Sequence, residues 1–352
     1  MSTCTHLNKF GAAYSFSTSM PASNIPIIAR LAPSPTGALH LGNARTFLIA
    51  WLSARSEGGR VVLRIEDIDS PRVKPESVQQ IFDDFRWLGL DWDEGPFVQT
   101  ERFTIYQNAL EVLKSRELVY PCTCTRTDVE RAASAPHLDH EGPVYPGTCR
   151  FRRVADANDL TDRAFAWRVR TDDARFRWDD GFRGPQELSI AAVGGDFVVW
   201  KSMSRGTSSP AAPSSRAAEA SAVARSTPSY QLAVVVDDAA MGITEVVRGD
   251  DLVPSTPRQL LLYQLLGLSP PRFFHVPLVV GPDGRRLAKR HGDTRVSTFR
   301  AHGMTAETML GWLAASCGWI ADERPMGLRE LLDVFRWETI PRGAVTVGLP
   351  FI

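Results

Sequence analysis

Residues 25–52 set an apolar run, a tight turn and an amphipathic stretch end to end, and no other segment limits the possible folds as sharply. Residues 25–31 predict a short buried strand, and Ala32-Pro33-Ser34-Pro35-Thr36-Gly37 predicts a turn. Ala44, Phe47, Leu48, Trp51 and Leu52 recur at helical spacing, so a helix is expected from near Gly42. His40, Leu41, Gly42 and Asn43 stand at the junction. A strand that turns into a helix there aims backbone N–H groups, a helix dipole and an imidazole at one point, which suits a phosphate chain. Gly42, without a Cβ, lets the backbone approach a nucleotide closely. His-x-Gly-Asn alone is a weak signal. The preceding strand and Pro-Ser-Pro-Thr-Gly turn favour the phosphate reading over a surface histidine at a helix start.

The same rhythm continues. Residues 60–65 predict a second strand, ending in Glu66-Asp67-Ile68-Asp69. Val78, Ile81, Phe82, Phe85 and Leu88 mark the next helix, and Ile105, Ala109, Val112 and Leu113 another. Alternating strands and helices predict a parallel α/β sheet. The pattern breaks at Pro121 and is irregular to about Ser202, with short strands expected at 165–169 and 196–200. Residues 204–228 are Ser/Ala/Pro-rich without aromatic side chains until the α/β pattern resumes, and are expected to be a solvated insertion. Residues 232–236 then predict a fully apolar strand, and 256–266 a helix ended by Gly267. Met309, Trp312 and Leu313 give helical spacing near the C-terminus. The expected divisions are a disordered tail at 1–24, catalytic halves at 25–121 and 229–284, an inserted domain at 122–203, the insertion at 204–228, and a loop and helical region at 285–352.

With 40 basic and 40 acidic residues the formal net charge is zero, so any RNA contact must come from a local patch. No apolar run approaches the roughly 20 residues of a membrane helix. Residues 1–24 contain Lys9 but no Arg, and lack a continuous apolar stretch. A soluble, cytoplasmic protein with no membrane partner is therefore expected, its N-terminus being a tail or an upstream start before Met20.

Five cysteines, three of them clustered, suggest a metal site in a reducing compartment rather than a disulfide framework. Cys122, Cys124 and Cys149 lie within 28 residues. Zinc suits soft sulfur donors without a redox role, although scattered buried cysteines are the competing reading. Residue chemistry would favour His137 or His140 as fourth ligand. Cys317, near Trp312, Leu313 and Trp319, is expected in the core, and Cys4 in the tail. A basic stretch, Arg286-Leu287-Ala288-Lys289-Arg290-His291-Gly292-Asp293, follows a turn at 281–284. Such a loop can close over a triphosphate and place an ammonium where charge builds. A merely solvated basic loop fits that stretch alone equally well.

Taken together, these motifs resemble the class I aminoacyl-tRNA synthetases. Arg30 to Gly37, Leu63 to Arg72 and Val246 to Leu252 are similar to their glutamyl/glutaminyl branch. Tyr230 to Asp238 and Ser255-Thr256-Pro257-Arg258 resemble, more narrowly, the glutamyl-queuosine tRNA(Asp) synthetase family. The resemblance runs from Arg30 to Asp293, more weakly beyond, and excludes the tail and residues 204–228. It implies a class I Rossmann-type parallel sheet, an inserted zinc-bearing acceptor-arm-like domain, a short helical C-terminal tail, no anticodon-binding domain, and a monomer.

The resemblance also implies roles. Arg30, Leu31, Ala32, Pro33, Ser34 and Glu66 would line a glutamate pocket that Tyr230 and Arg248 complete. His40, Gly42, Asn43 and Lys289 would bind ATP, His40 and Lys289 being catalytic in stabilising pyrophosphate departure. Cys122, Cys124, Tyr145 and Cys149 would hold one structural zinc. ATP with Mg2+ and L-glutamate would give glutamyl-adenylate, and the glutamyl group would pass to queuosine in tRNA(Asp). A substrate with two carboxylates and an ammonium does call for guanidinium forks and a carboxylate. Arg30 and Arg248 are expected in Gly- and Pro-flanked turns at strand ends. Lys201, Arg168 and Arg170 are expected on solvated strand faces rather than on RNA.

The chain departs from the family at one place. The relatives usually carry Lys-Leu-Ser-Lys, and Arg286-Leu287-Ala288-Lys289 keeps both charges but loses the hydroxyl, which bears on the activation rate. Two rival readings stay open. One is a glutamyl-tRNA synthetase charging a tRNA 3′ end, against which the short stretch after Asp293 argues. The other is an inactive tRNA- or glutamate-binding regulator, supported by Arg286 and Ala288.

Overall fold

The computed structural model describes residues 14–15, 25–35, 37–68, 73, 75–132, 144–160, 163–172, 174–202, 226–281, 283–285, 287 and 293–346. The chain opens with β1 (Tyr14–Ser15), then runs β2 (Ile28–Leu31), α1 (Leu41–Ser56), β3 (Arg60–Ile65), α2 (Pro75–Leu88), β4 (Glu94–Val98) and α3 (Phe103–Ser115). The middle contains β5 (Val119–Cys122), α4 (Arg126–Ala132), β6 (Phe165–Val169), β7 (Arg175–Asp180), β8 (Gly184–Ser189), β9 (Val198–Ser202) and β10 (Thr227–Pro228). Next come α5 (Tyr230–Ala240), β11 (Glu245–Gly249), α6 (Thr256–Leu266), β12 (Arg272–Val276) and β13 (Val279–Val280). Last are α7 (Val296–Ala301), α8 (Ala306–Ser316), α9 (Leu328–Val334) and β14 (Val345–Thr346).

Parallel strands β2, β3 and β4 pair in that order, and β11 pairs in parallel with β12. The two groups meet at β2, where the Thr244 N–H donates to the Ile28 carbonyl at 2.9 Å and the Ile28 N–H to Thr244 Oγ1 at 2.8 Å. From this junction one half of the chain builds outward through β3 and the other through β12. That is a topological switch point, and ligands of such sheets bind beyond the carboxyl ends of the strands flanking it.

Strand alternation divides the side chains between two cores. Leu31, Leu63 and Ile65 join Leu48, Leu52 and Phe85 of α1 and α2, together with Phe299, Met309, Trp312 and Leu313. Ile28 and Val62 face Tyr106, Leu113, Leu232, Val235 and Leu260, with Trp167 and Trp200 of the middle segment. Arg30 and Arg64 fall on the second face by the same alternation. The C-terminal helices thus complete a core instead of forming a tail, and Cys317 is buried there as expected.

Other expectations need correction. Residues 232–236 are helical, inside α5, which Ser229 caps by accepting the Leu232 N–H at 3.4 Å. Every residue from Leu232 to Asp238 is buried. A helix covered all round shows no apolar stripe, so its sequence cannot be told from a buried strand. Arg30 and Arg248 lie within β2 and β11, not in turns. Tyr14–Ser15, expected to be disordered, pair in parallel with Phe176 and Arg177. The antiparallel sheet β10-β9-β6-β5 begins before residue 122 and includes Thr227–Pro228 from the end of the expected insertion. Most of that insertion, residues 204–225, lies outside the described residues.

Candidate active site

His40 is the N-cap of α1. Its backbone is extended, at φ −99° and ψ 164°, and its Nδ1 accepts the Asn43 N–H at 3.3 Å. With Nδ1 used as acceptor, a neutral ring carries its proton on Nε2. Gly42 is required by this ring as much as by any ligand. A Cβ there would lie 3.1 Å from His40 Cε1 and 3.2 Å from Nδ1, with Val279 Cβ at 3.7 Å.

Lys289 lies outside the described residues, as do Arg286, Ala288, Arg290, His291 and Gly292. The segment just after them is described and is bonded to the histidine motif. Leu41 N–H donates to the Thr294 carbonyl at 3.0 Å and Val296 N–H to the Leu39 carbonyl at 2.9 Å. The C-terminal end of the basic loop is therefore anchored beside the N-terminus of α1.

A second group of polar side chains gathers around the β2–β11 junction. Buried Arg30 donates from Nη1 to the Val247 carbonyl at 3.1 Å, and its Nε is 3.9 Å from Asp238 Oδ1. Fully buried Arg64 donates to Asp238 Oδ1 at 2.7 Å and to Glu66 Oε1 at 3.0 Å. Burial opposes the charge of Arg64, yet Asp238, Glu66 and Asp237 hold its pKa well above the usual guanidinium value. Burial pushes the Glu66 carboxyl up, against the pull of Arg64 and Arg30. Arg248 is gripped on several sides. Its Nε donates to His275 Nε2 at 2.9 Å, Nη1 to Gln259 Oε1 at 2.7 Å and Nη2 to Thr256 Oγ1 at 3.0 Å. Burial, assisted by repulsion from Arg30, draws its pKa down.

Tyr230, 39% exposed at the start of α5, lies within electrostatic reach of Glu66, Arg248, Arg30 and Asp238. The structure thus unites Arg30, Glu66, Tyr230 and Arg248. The Glu66 N–H donates to the Pro33 carbonyl at 3.0 Å, tying the 32–34 turn to the group. Ser34 is exposed and Ala32 half-buried, whereas the Leu31 side chain belongs to the core and could offer only its backbone. Two buried polar atoms here, Arg30 Nε and the Tyr263 hydroxyl, have no hydrogen-bond partner among the described residues. Buried polar atoms are nearly always paired, so an orphaned pair marks a place for a polar ligand. Sequence reasoning missed Arg64, Asp238 and Tyr263. For Arg64 the available signal was a charged residue among the apolar ones of a buried strand; Asp238 and Tyr263 lie in the buried helices α5 and α6, where no local pattern marks them.

A third cluster surrounds the thiols. The Sγ atoms of Cys122, Cys124 and Cys149 lie within 4.8 Å of one another. Cys124 and Cys149 are 3.7 Å apart, and the Tyr145 hydroxyl is 3.3 Å from Cys122 and 3.9 Å from Cys124. Tetrahedral zinc with its usual bond lengths would separate paired sulfurs by about 3.8 Å and sulfur from oxygen by about 3.6 Å. The donor set therefore fits a zinc ion. Burial raises the Cys149 thiol, but bonds from Thr123, Cys124 and Tyr145 outweigh it and bring it down to about 7. Cys149 N–H also donates to the Tyr145 oxygen at 2.8 Å, and Arg168 lies 4.0 Å above the Tyr145 ring. Arg170 lies 4.8 Å above the Tyr120 ring, so both arginines brace this cluster. His137 and His140 lie outside the described residues.

Comparisons with known proteins show the family and the fold. The family model described as tRNA synthetases class I (E and Q), catalytic domain, matches residues 26–204 and 217–334. A glutamyl-Q tRNA(Asp) synthetase of Rhodopirellula baltica is 48% identical over 334 residues, covering 91% of this chain and 96% of that relative. A glutamate–tRNA ligase of Geobacter sulfurreducens is 40% identical over 317 residues, 90% of this chain but 62% of the ligase. The crystal structure of the glutamate-tRNA synthetase from Elizabethkingia anophelis shares the fold, with a TM-score of 0.74 at 24% identity over 92% of this chain and 68% of that one. No helix among the described residues is long and apolar enough to cross a membrane.

Proposed function

The chain belongs to the class I tRNA synthetases of the glutamate and glutamine type, within the glutamyl-Q tRNA(Asp) synthetase group, and on that premise we propose that it activates L-glutamate with ATP and passes the glutamyl group to queuosine in tRNA(Asp). A glutamate carboxylate oxygen attacks the α-phosphorus of Mg2+-ATP and pyrophosphate leaves. A hydroxyl of queuosine then attacks the acyl carbon and AMP leaves. The protein forms no covalent intermediate in this scheme, so it acts by positioning and by stabilising developing charge.

The observation that carries the reading is the cluster of Arg30, Glu66, Tyr230 and Arg248 beyond the β2–β11 junction, with Arg30 Nε and the Tyr263 hydroxyl buried and without a hydrogen-bond partner among the described residues. Two guanidiniums for carboxylates and Glu66 for the ammonium complement glutamate, with the 31–34 backbone and Ser34 at the rim. His40, Gly42 and Asn43 at the N-terminus of α1 hold the phosphates, and Lys289 meets the departing pyrophosphate. Cys122, Cys124, Tyr145 and Cys149 hold zinc with four protein donors, which makes the ion structural rather than catalytic.

Glutamate-dependent ATP–pyrophosphate exchange tests the first half-reaction. Exchange is expected with the protein alone. Exchange seen only after tRNA(Glu) is added would favour the rival reading as a 3′-end glutamyl-tRNA synthetase, which 40% identity to glutamate–tRNA ligases keeps in view. No exchange under any condition would leave the regulator.

A further inference from the structure

His275 in β12 is fully buried between Arg248 and the β7–β8 hairpin. The hairpin docks closely on that strand. Gly181 N–H donates to the Phe273 carbonyl at 2.8 Å, and a Cβ at Gly181 would fall 2.2 Å from the Phe274 ring. At the tip, Asp180 is itself buried. Its Oδ1 accepts the backbone N–H groups of Phe182 at 3.1 Å, Arg183 at 2.9 Å and His275 at 3.1 Å. Oδ2 is left to face His275 Nδ1 at 2.5 Å.

These contacts fix the histidine proton. Arg248 Nε–H can only donate, so His275 Nε2 must offer a lone pair and Nδ1 must carry the hydrogen, which Asp180 accepts. Thr256 Oγ1, 3.2 Å from Nε2 and 3.0 Å from Arg248 Nη2, braces the same corner. Burial lowers the His275 pKa to about 4, which keeps the ring neutral near pH 7.

We propose that Asp180 and His275 are positioning residues for Arg248. Asp180, carried by a hairpin of the middle segment, holds the His275 tautomer that accepts from Arg248 and so sets the guanidinium for a substrate carboxylate. The inference rests on the reading of Arg248 as a glutamate-binding residue. It gives the middle segment a part in amino-acid recognition, since the pocket is complete only when the hairpin is docked.

Two substitutions differ in the atoms they keep. In Asp180→Asn, the three backbone donors retain Oδ1, so the new NH2 faces His275 Nδ1. The ring proton then moves to Nε2, against Arg248 Nε–H. His275→Gln frees that site from tautomer control, because its amide oxygen can accept from Arg248 whatever stands at position 180. Exchange kinetics should be measured with glutamate and ATP varied separately for Asp180→Asn, the double variant Asp180→Asn with His275→Gln, and Arg248→Ala. Asp180→Asn should raise the glutamate KM roughly 10- to 100-fold, the scale of one lost charge-assisted hydrogen bond, with the ATP KM unchanged. The double variant should regain part of that loss. Equal rises in both KM values, or no recovery in the double variant, would reduce the pair to packing and overturn the proposal. A raised glutamate KM in Arg248→Ala without one in Asp180→Asn would also overturn it alone. An unchanged glutamate KM in Arg248→Ala would overturn the glutamate reading and the proposal together.

Discussion

Gly42→Ala should separate stability from catalysis in this chain. The added methyl would stand 3.1 and 3.2 Å from two ring atoms of His40, with Val279 3.7 Å away to limit any retreat of the backbone. Ordinary contacts are longer, so the imidazole must give by a few tenths of an ångström. Its bond from Asn43 N–H is already 3.3 Å, and that displacement breaks it. Losing a side-chain cap costs about 1 kcal/mol. Replacing glycine by alanine within a helix returns about 0.5–1 kcal/mol. The two nearly cancel, so the melting temperature should move by no more than about 2 °C. Catalysis has no such compensation. The ring leaves the position from which Nε2–H would meet a phosphate oxygen, and the pyrophosphate-exchange kcat should fall roughly tenfold or more. An unchanged kcat at unchanged stability would show that the orientation of His40 is irrelevant to activation. A collapse in melting temperature would show that the contact was misjudged as yielding.

Metal analysis of protein purified without chelator should find about one zinc per chain, and Cys149→Ser should lose it. Tyr145→Phe should retain zinc less well against a chelator, because the phenol oxygen completes the donor set beside Cys122 and Cys124. Retention equal to wild type would remove Tyr145 as a ligand and return attention to His137 and His140. A third expectation concerns pH. Burial raises the Asp84 carboxyl to about 6, partly countered by Arg300 and Gln80, and its Oδ2 has no partner among the described residues. The folded state therefore binds this proton more tightly than the unfolded chain does, so the group opposes folding above pH 6, and the penalty fades as pH falls toward 4. Asp84→Asn should stabilise the protein at pH 7.5 by on the order of 1 kcal/mol and make little difference near pH 4. A gain independent of pH would contradict the assignment, and thermal unfolding across that range reads it directly.

Much of the site was legible because its motifs are local. The strand, turn and helix around His40 announce themselves by period, and Gly267 ends α6 in the left-handed conformation at φ 71°, as its sequence suggests. The thiols were legible through spacing alone. Residues 232–236 were not, because a helix buried on every side shows no stripe. Arg64, Asp238, Asp180 and His275 were also missed, for another reason. Each takes its meaning from partners far along the chain, 174 residues away for Arg64 and Asp238 and 95 for Asp180 and His275. No local period encodes such a pairing. Lys289 was legible as part of a basic motif and lies outside the described residues, while the flank after it is anchored to the histidine motif.

The central claim is that the glutamyl group goes to a modified base rather than to a tRNA 3′ end. Charging with labelled glutamate, carried out in parallel on queuosine-containing tRNA(Asp), queuosine-free tRNA(Asp) and tRNA(Glu), tests it most directly. Label should appear only on the queuosine-containing tRNA(Asp). Label on tRNA(Glu), or on tRNA(Asp) irrespective of queuosine, would contradict the account.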